Sequence, residues 1–261
     1  MKIKDQIGRI IELQKKPRNI ISLVPSITYT LSSFGLDKEV KGITRFCKYP
    51  EHWKKEKKII GGTKNLKIDR IKEIAPDLIF ANKEENTKEE IDELSRHFNV
   101  FVSDVKNAET NIQFIRQTSI LLNKEEQAKE LIDKIILEKN KLGNQIQGTV
   151  AYFIWKDPWM SIGSDTYIHS MLEEFGLKNI FFSKKRYPVV NLEKLKGNPP
   201  EYIFLSSEPY PFKENHKKEL ENIFPESKIV LVQGEAFTWF GTYQEESYRY
   251  FQKLKKELFY A

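Results

Sequence analysis

Apolar and polar positions along this chain switch between two periods. Short β-branched runs, IISLV at 20 to 24, VKGITRF at 40 to 46, DLIFA at 77 to 81 and VFVSDV at 100 to 105, predict strands. Between them TLSSFG (30 to 35), IDRIKEIA (68 to 75) and KEEIDELSRHF (88 to 98) carry the 3.6-residue period of amphipathic helices. Strand and helix in strict alternation predict right-handed βαβ units and a mainly parallel sheet, a Rossmann-like lobe. Residues 1 to 19 read as a strand-turn lead-in that ends at the breaker Pro17.

The pattern then repeats. IISLVPSITYTLSSFGL (20 to 36) and TVAYFIWKDPWMSIGSDTYIHSMLEEFGL (149 to 177) share the order of strand, turn and helix and the same Phe-Gly-Leu ending. The first copy continues to IDRIKEIAPDLIFAN and NVFVSDV, the second to NLEKLKGNPPEYIFLSS and KIVLVQGE. A long-range duplication predicts two similar lobes, residues 1 to 106 and 148 to 261, with a ligand cleft between them. Residues 107 to 147 carry no strand signal; their apolar positions predict mostly helix, broken near Leu122-Asn123, where Asn123 caps a second and longer helix. A bridging helix of about 20 residues would be a spine about 30 Å long. The fold class is therefore α/β: two Rossmann-like lobes joined by a long helical bridge, with EESYRYFQKLKKELFY as a terminal helix on the second.

Composition removes some alternatives. The 261 residues include 43 Lys and Arg against 37 acids, but the excess of six positive charges is spread as Lys interleaved with Glu along helices, the pattern of solvated faces and not of nucleic-acid binding. No run approaches the roughly 20 apolar residues of a spanning helix. A single cysteine, Cys47, leaves no intrachain disulfide to form. The N-terminus lacks an apolar export signal, so the sequence as it stands reads as cytoplasmic, or as a form from which the signal is absent.

In open parallel sheets ligands bind outside the carboxyl ends of the strands, so the strand-exit loops hold the candidates. These loops are rich in aromatics, Gly and Pro, which suits a large, flat, conjugated ligand. Tyr49, Trp159, Tyr187, Tyr210, Phe237 and Trp239 read as cavity-lining, and Trp155, at a strand end, as core. Arg45, Lys83 and Arg186 would meet polar or anionic ligand edges. Catalytic signatures are missing: Gly61-Gly62-Thr63-Lys64 lacks phosphate-loop spacing, there is no Gly-x-Ser-x-Gly elbow, and His52, His97, His169 and His216 are scattered. No catalytic residue, metal site or resident cofactor is expected. The acids Asp157, Asp165, Glu208 and Glu235 leave open a rival, a cytoplasmic enzyme or salvage factor on the same lobes.

The runs SLVPSIT, GITRFCKYP, GGTKN, APDLIFANKEEN, WKDPWMSIGSDTYI, RYPVV, SSEPYPFKE and GEAFTWFG, in this order, resemble the helical-backbone class of ABC-transporter solute-binding proteins. Within it, the resemblance is to the branch of vitamin B12-binding and ferric-siderophore or haem receptors. It implies a monomeric binding protein, not an enzyme, that holds a metal chelate, a corrinoid first and a ferric siderophore or haem otherwise. It also implies little lobe closure and delivery to an ABC permease of the vitamin B12/siderophore type. By position it assigns ligand contact to Tyr49, Tyr187, Phe237 and Trp239. The two exposed glutamates that meet permease arginines would be Glu193 and, where Lys88 occupies the matching place, its neighbour Glu89. It further implies a periplasmic or membrane-associated location, which the missing signal contradicts, and Asn82 stands where a stacking Trp is expected.

Overall fold

A computed structural model of the chain describes residues 1–143 and 147–259. Residues 144 to 146 of the expected bridge and Tyr260 of the expected terminal helix lie outside the described residues. The chain divides into two compact units. Unit 1 comprises Met1–Val105, Glu109–Ile136 and Trp239–Gln244; unit 2 comprises Lys106–Ala108, Leu137–Thr238 and Glu245–Ala261.

Unit 1 opens with an antiparallel hairpin, β1 (Lys2–Lys4) and β2 (Ile10–Glu12). Asp5 holds its turn, its carboxylate accepting from the backbone N–H of Ile7, Arg9 and Val102. There follow β3 (Ile20–Ser22), α1 (Pro25–Ser33), β4 (Val40–Ile43), α2 (Trp53–Glu56), β5 (Lys58–Ile59), the hairpin β6 (Gly61–Gly62) and β7 (Asn65–Leu66), α3 (Ile68–Ile74), β8 (Leu78–Asn82), α4 (Lys88–Ser95) and β9 (Val100–Ser103). The main sheet runs β5-β4-β3-β8-β9, parallel throughout. Every residue of β3, β8 and β9 is buried, as expected of parallel strands covered on both faces.

Two helices follow, α5 (Ala108–Leu122) and α6 (Glu125–Asn140). The break falls where the sequence predicts, but its mechanism differs. Asn123 has φ 52, so it ends α5 in the left-handed region that Asn tolerates and does not act as the N-cap of α6. The expected second helix is α6, whose 16 residues rise ~24 Å rather than about 30 Å.

Unit 2 contains β10 (Thr149–Phe153), α7 (Tyr167–Phe175), β11 (Lys178–Asn179), α8 (Leu192–Lys196), β12 (Tyr202–Ser206), α9 (Glu214–Ile223), β13 (Lys228–Val232), α10 (Gly234–Thr238) and α11 (Gln244–Phe259). Its sheet, β11-β10-β12-β13, is also parallel throughout. The edge strand β13 leaves Leu231 exposed while β10 and β12 are almost wholly buried.

The repeated Phe-Gly-Leu has one structural meaning in both units. Gly35 (φ +66) and Gly176 (φ +100) end α1 and α7 in the left-handed conformation, and the next residue's N–H turns back to an earlier carbonyl: Leu36 to Leu31, Leu177 to Leu172. This closure satisfies carbonyls that the helix end would leave open and seats the flanking Phe and Leu in the core. The chain is thus α/β with two parallel-sheet lobes.

Candidate functional site

Strand order reverses between β3 and β8 in unit 1 and between β10 and β12 in unit 2, the switch points at whose carboxyl ends open parallel sheets bind ligands.

In unit 1 the loop leaving β4 carries Arg45, Phe46, Cys47, Lys48 and Tyr49. Phe46 and Tyr49 are 49% and 44% exposed, high values for aromatic rings. The Arg45 guanidinium lies 4.9 Å from the Phe46 ring centroid, within cation–π range. Gly62 permits this close packing: a Cβ there would stand 3.0 Å from Phe46 Cε2 and 3.4 Å from Arg45 Nη2. Gly61 to Lys64 therefore form the turn of a hairpin that supports Arg45, not a phosphate loop.

Behind Tyr49 stands Trp239, ring centroids 6.2 Å apart, itself enclosed by Tyr29 (6.5 Å) and Tyr243 (4.9 Å). Expected as a wall of the second lobe, Trp239 is a buried member of unit 1 that backs Tyr49. Lys83 sits on the loop leaving β8, its ammonium 2.9 Å from Asp104. Asn82, where stacking is lost, is buried and structural: its side-chain oxygen accepts from Glu84 N–H and Glu85 N–H, and its amide donates to Ser103. Asn86 ties three loops together, donating to the carbonyls of Leu23 and Thr63 and accepting from Asn82 N–H.

Cys47 points inward. It is buried, its Sγ 3.1 Å from Thr28 Oγ1, and burial raises its pKa. A thiol held neutral and out of water is a poor soft ligand. An aromatic disulfide reagent at mildly alkaline pH should label Cys47 on the order of a hundredfold more slowly in the folded protein than in denaturant. Equal rates would place the thiol on the surface.

In unit 2 the aromatic loops sort differently from expectation. Trp155 is 41% exposed, whereas Trp159 packs down on the core, stacked on Phe212 at 5.6 Å and against Phe153 at 5.1 Å. Lys156 covers it, 5.3 Å from the ring centroid. Trp155, expected as core, is thus exposed, and Trp159, expected to line a cavity, is half-buried against the core. A strand-like ladder, Trp155 to Met160 to Val189, holds this loop flat against the neighbouring one and turns the Trp155 side outward. Tyr210 touches Trp155 (5.6 Å) and Phe212 (4.7 Å), and its hydroxyl lies 3.3 Å from His216 Nε2. Tyr187 remains exposed beneath the Arg186 guanidinium, 5.4 Å away. Arg186, at φ 58, donates its backbone N–H to Asp165 at 2.6 Å, which holds the Asp165 carboxyl below its ordinary range.

Phe237 is the plainest correction. It is 0% exposed and surrounded by Tyr152, Phe175, Phe204, Tyr250 and Phe251, so it fills the core of unit 2 and lines no surface. Of the expected contacts, Arg45 and Tyr49 share one loop, Tyr210 packs on Trp155 and Tyr187 lies under Arg186 in unit 2, and Lys83 is on the loop leaving β8. Besides Phe182, Phe46 and Trp155 are exposed aromatics outside the expected set, Trp155 having been expected as core. Their loops were recognised, but nothing local distinguishes an outward ring from an inward one.

Of the four acids that kept an enzyme open, Asp165, Glu208 and Glu235 have hydrogen-bond partners and Asp157 is exposed. Glu208 accepts from Thr238 Oγ1 at 3.0 Å, Glu235 from Ser207 Oγ at 3.3 Å, and Thr166 caps α7 beside Asp165. Among the described residues no group of three or more His, Cys, Asp and Glu is placed to hold a metal ion. Glu89 and Glu193 both lie in the first turn of exposed helices, Glu193 paired with Lys196 at 2.8 Å.

The family model described as periplasmic binding protein matches residues 20–224. A vitamin B12-binding protein of Vibrio campbellii is 26% identical over 196 residues, 72% of this chain and 70% of that protein. An uncharacterized ABC transporter substrate-binding lipoprotein of Bacillus subtilis, YvrC, is 32% identical over 81 residues, 31% of this chain and only 25% of that protein. Among solved structures, the periplasmic catecholate-siderophore binding protein VctP of Vibrio cholerae superposes with a TM-score of 0.80 over 97% of this chain and 99% of its own, at 15% identity, a likeness of fold.

Proposed function

Because the chain belongs to the periplasmic binding protein family, we propose that it is the solute-binding component of an ABC importer, taking a large metal chelate on its aromatic strand-exit loops and passing it to a permease. The observation that carries this reading is the pairing, in each unit, of an arginine with outward aromatic rings at the carboxyl ends of parallel strands. These are Arg45 over Phe46, on the loop that also exposes Tyr49, in one unit, and Arg186 over Tyr187 in the other. Rings give contact area at low entropic cost, and guanidinium groups meet the oxygen-bearing rim of a chelate. The names of the relatives point the same way, to vitamin B12 in one case and to a catecholate siderophore in another. Glu89 and Glu193 supply the carboxylates for permease arginines.

The reading predicts binding without turnover. Calorimetric and absorbance titration with cyanocobalamin, haem and an iron(III) tris-catecholate should show saturable binding of at least one, and silence from all three would sink it. Tyr49→Ala and Tyr187→Ala should each weaken the bound chelate about tenfold, since an aromatic contact at a binding face is worth about 1.4 kcal/mol. Full affinity in both variants would move the binding face elsewhere.

A further inference from the structure

His216 stands at the third position of α9, half-buried, with both ring nitrogens engaged. Nδ1 accepts the Lys213 backbone N–H at 3.0 Å, and Nε2 lies 3.3 Å from the Tyr210 hydroxyl oxygen. A backbone N–H can only donate, so Nδ1 carries no proton and the neutral ring holds its hydrogen on Nε2. Nε2–H therefore donates to the Tyr210 oxygen. The phenolic hydrogen, which has no other partner among the described residues, is left to be offered outward. The imidazole also seats the rings: it packs edge-on against Tyr210 and Phe212, both at 5.5 Å, and Tyr210 in turn meets the exposed Trp155 at 5.6 Å.

Protonation undoes this arrangement. An imidazolium carries N–H at both nitrogens, so Nδ1–H meets the Lys213 N–H donor to donor and the bond that anchors the start of α9 is lost. The new charge lies in the first turn of a helix, where the macrodipole disfavours cations. The charged neighbours on α9 and its lead-in are Lys213, Glu214, Lys217 and Glu219, with Glu208, which accepts from Thr238. On the loop leaving β10 they are Lys156 and the exposed Asp157. Glu219, one turn from His216, is committed to Lys156, and Lys217 pairs with Glu221.

We propose that His216 is a positioning residue of the solute site: neutral, it seats Tyr210 against Trp155 and sets the Tyr210 hydroxyl to donate to an acceptor on the solute. Protonated, it lets both go, so acidification loosens the bound solute. The inference rests on the delivery reading above and adds regulation to it.

The test is titration of the full chain, of His216→Gln and of Tyr210→Phe with cyanocobalamin, haem and iron(III) tris-catecholate at about pH 8 and about pH 5.5, within the span where histidines change charge. Gln stays neutral at both, so protonation of the chelate itself cancels in the comparison. For a chelate that binds, the unmodified chain should weaken about fivefold more between the two pH values than His216→Gln does. Tyr210→Phe keeps the ring, removes the hydroxyl and should bind about fivefold more weakly at the higher pH. Combined, the two substitutions should cost less than their sum, because each removes the same contact. Equal pH dependence in the unmodified chain and His216→Gln, or full affinity in Tyr210→Phe, overturns the inference and leaves the delivery reading standing. Binding of none of the three chelates overturns both.

Discussion

Phe237→Ala is expected to destabilise unit 2 by roughly 3–5 kcal/mol, the usual cost of emptying a buried phenylalanine site. The ring has no exposed surface and is 4.7 Å from Phe251, 5.3 Å from Tyr152 and 6.0 Å from Phe204, centroid to centroid. These neighbours come from β10, β12 and α11. Truncation therefore opens a void that no single side-chain rotation closes. Two of the lining rings are tyrosines with committed hydroxyls, Tyr152 donating to Ser206 Oγ at 3.0 Å and Tyr250 accepting from Gln233 N–H at 3.0 Å. Repacking around the void would have to break those bonds, which adds to its cost. Urea unfolding followed by circular dichroism should show the loss, with affinity for any bound chelate little changed under native conditions. A fall in stability below about 1 kcal/mol together with lost ligand binding would restore Phe237 to the ligand face.

Gly241→Ala should cost unit 1 roughly 2–5 kcal/mol, and its cause can be separated by comparison with Gly35→Ala. Both glycines have positive φ, +80 and +66, so both substitutions incur about 1–2 kcal/mol of left-handed backbone strain. Only Gly241 is also closely packed. A Cβ there would stand 2.0 Å from Thr30 Oγ1, whereas nothing lies within 4 Å of one at Gly35. Thr30 cannot rotate aside without loss, because its hydroxyl donates to the Ser26 carbonyl and accepts from Thr242 N–H. Nor can the backbone slide. Asn111 holds Gly241 from both sides, its Oδ1 accepting from Gly241 N–H at 2.5 Å and its Nδ2 donating to the Gly241 carbonyl at 3.0 Å. The difference between the two variants is therefore overpacking, of order 1–3 kcal/mol. Because Trp239 and Tyr243 flank this glycine and Trp239 backs Tyr49, the Gly241 variant should weaken chelate binding as well, and the Gly35 variant should not. Equal losses of stability at the two sites would show that the segment from Trp239 to Gln244 is loosely seated.

The alternation of β-branched runs with amphipathic helices was sufficient to predict parallel sheets, because both signals arise from local steric preference and from the side on which a residue must be buried. The Phe-Gly-Leu endings were equally legible: a glycine where a helix must stop in the left-handed region is written into the chain itself. Asn123 shows how near such a reading can come and still miss, since Asn serves either helix end and the choice depends on neighbours.

The proposed binding face was less legible. Strand exits mark where a ligand can reach, which makes Arg45, Tyr49, Tyr187 and Tyr210 candidates and no more. Whether an aromatic on such a loop faces outward depends on what is packed over it. Phe212 and Lys156 cover Trp159 from more than fifty residues away and from three residues back, respectively, and leave Trp155 bare. Trp239, two residues after the core residue Phe237, packs instead with Tyr29, over two hundred residues earlier. The sequence by itself determined two α/β lobes of parallel strands and the loops from which a site could be built. The tertiary structure alone decided which rings are core and which are surface, because exposure is set by the distant residues that cover a side chain and not by its neighbours in the chain.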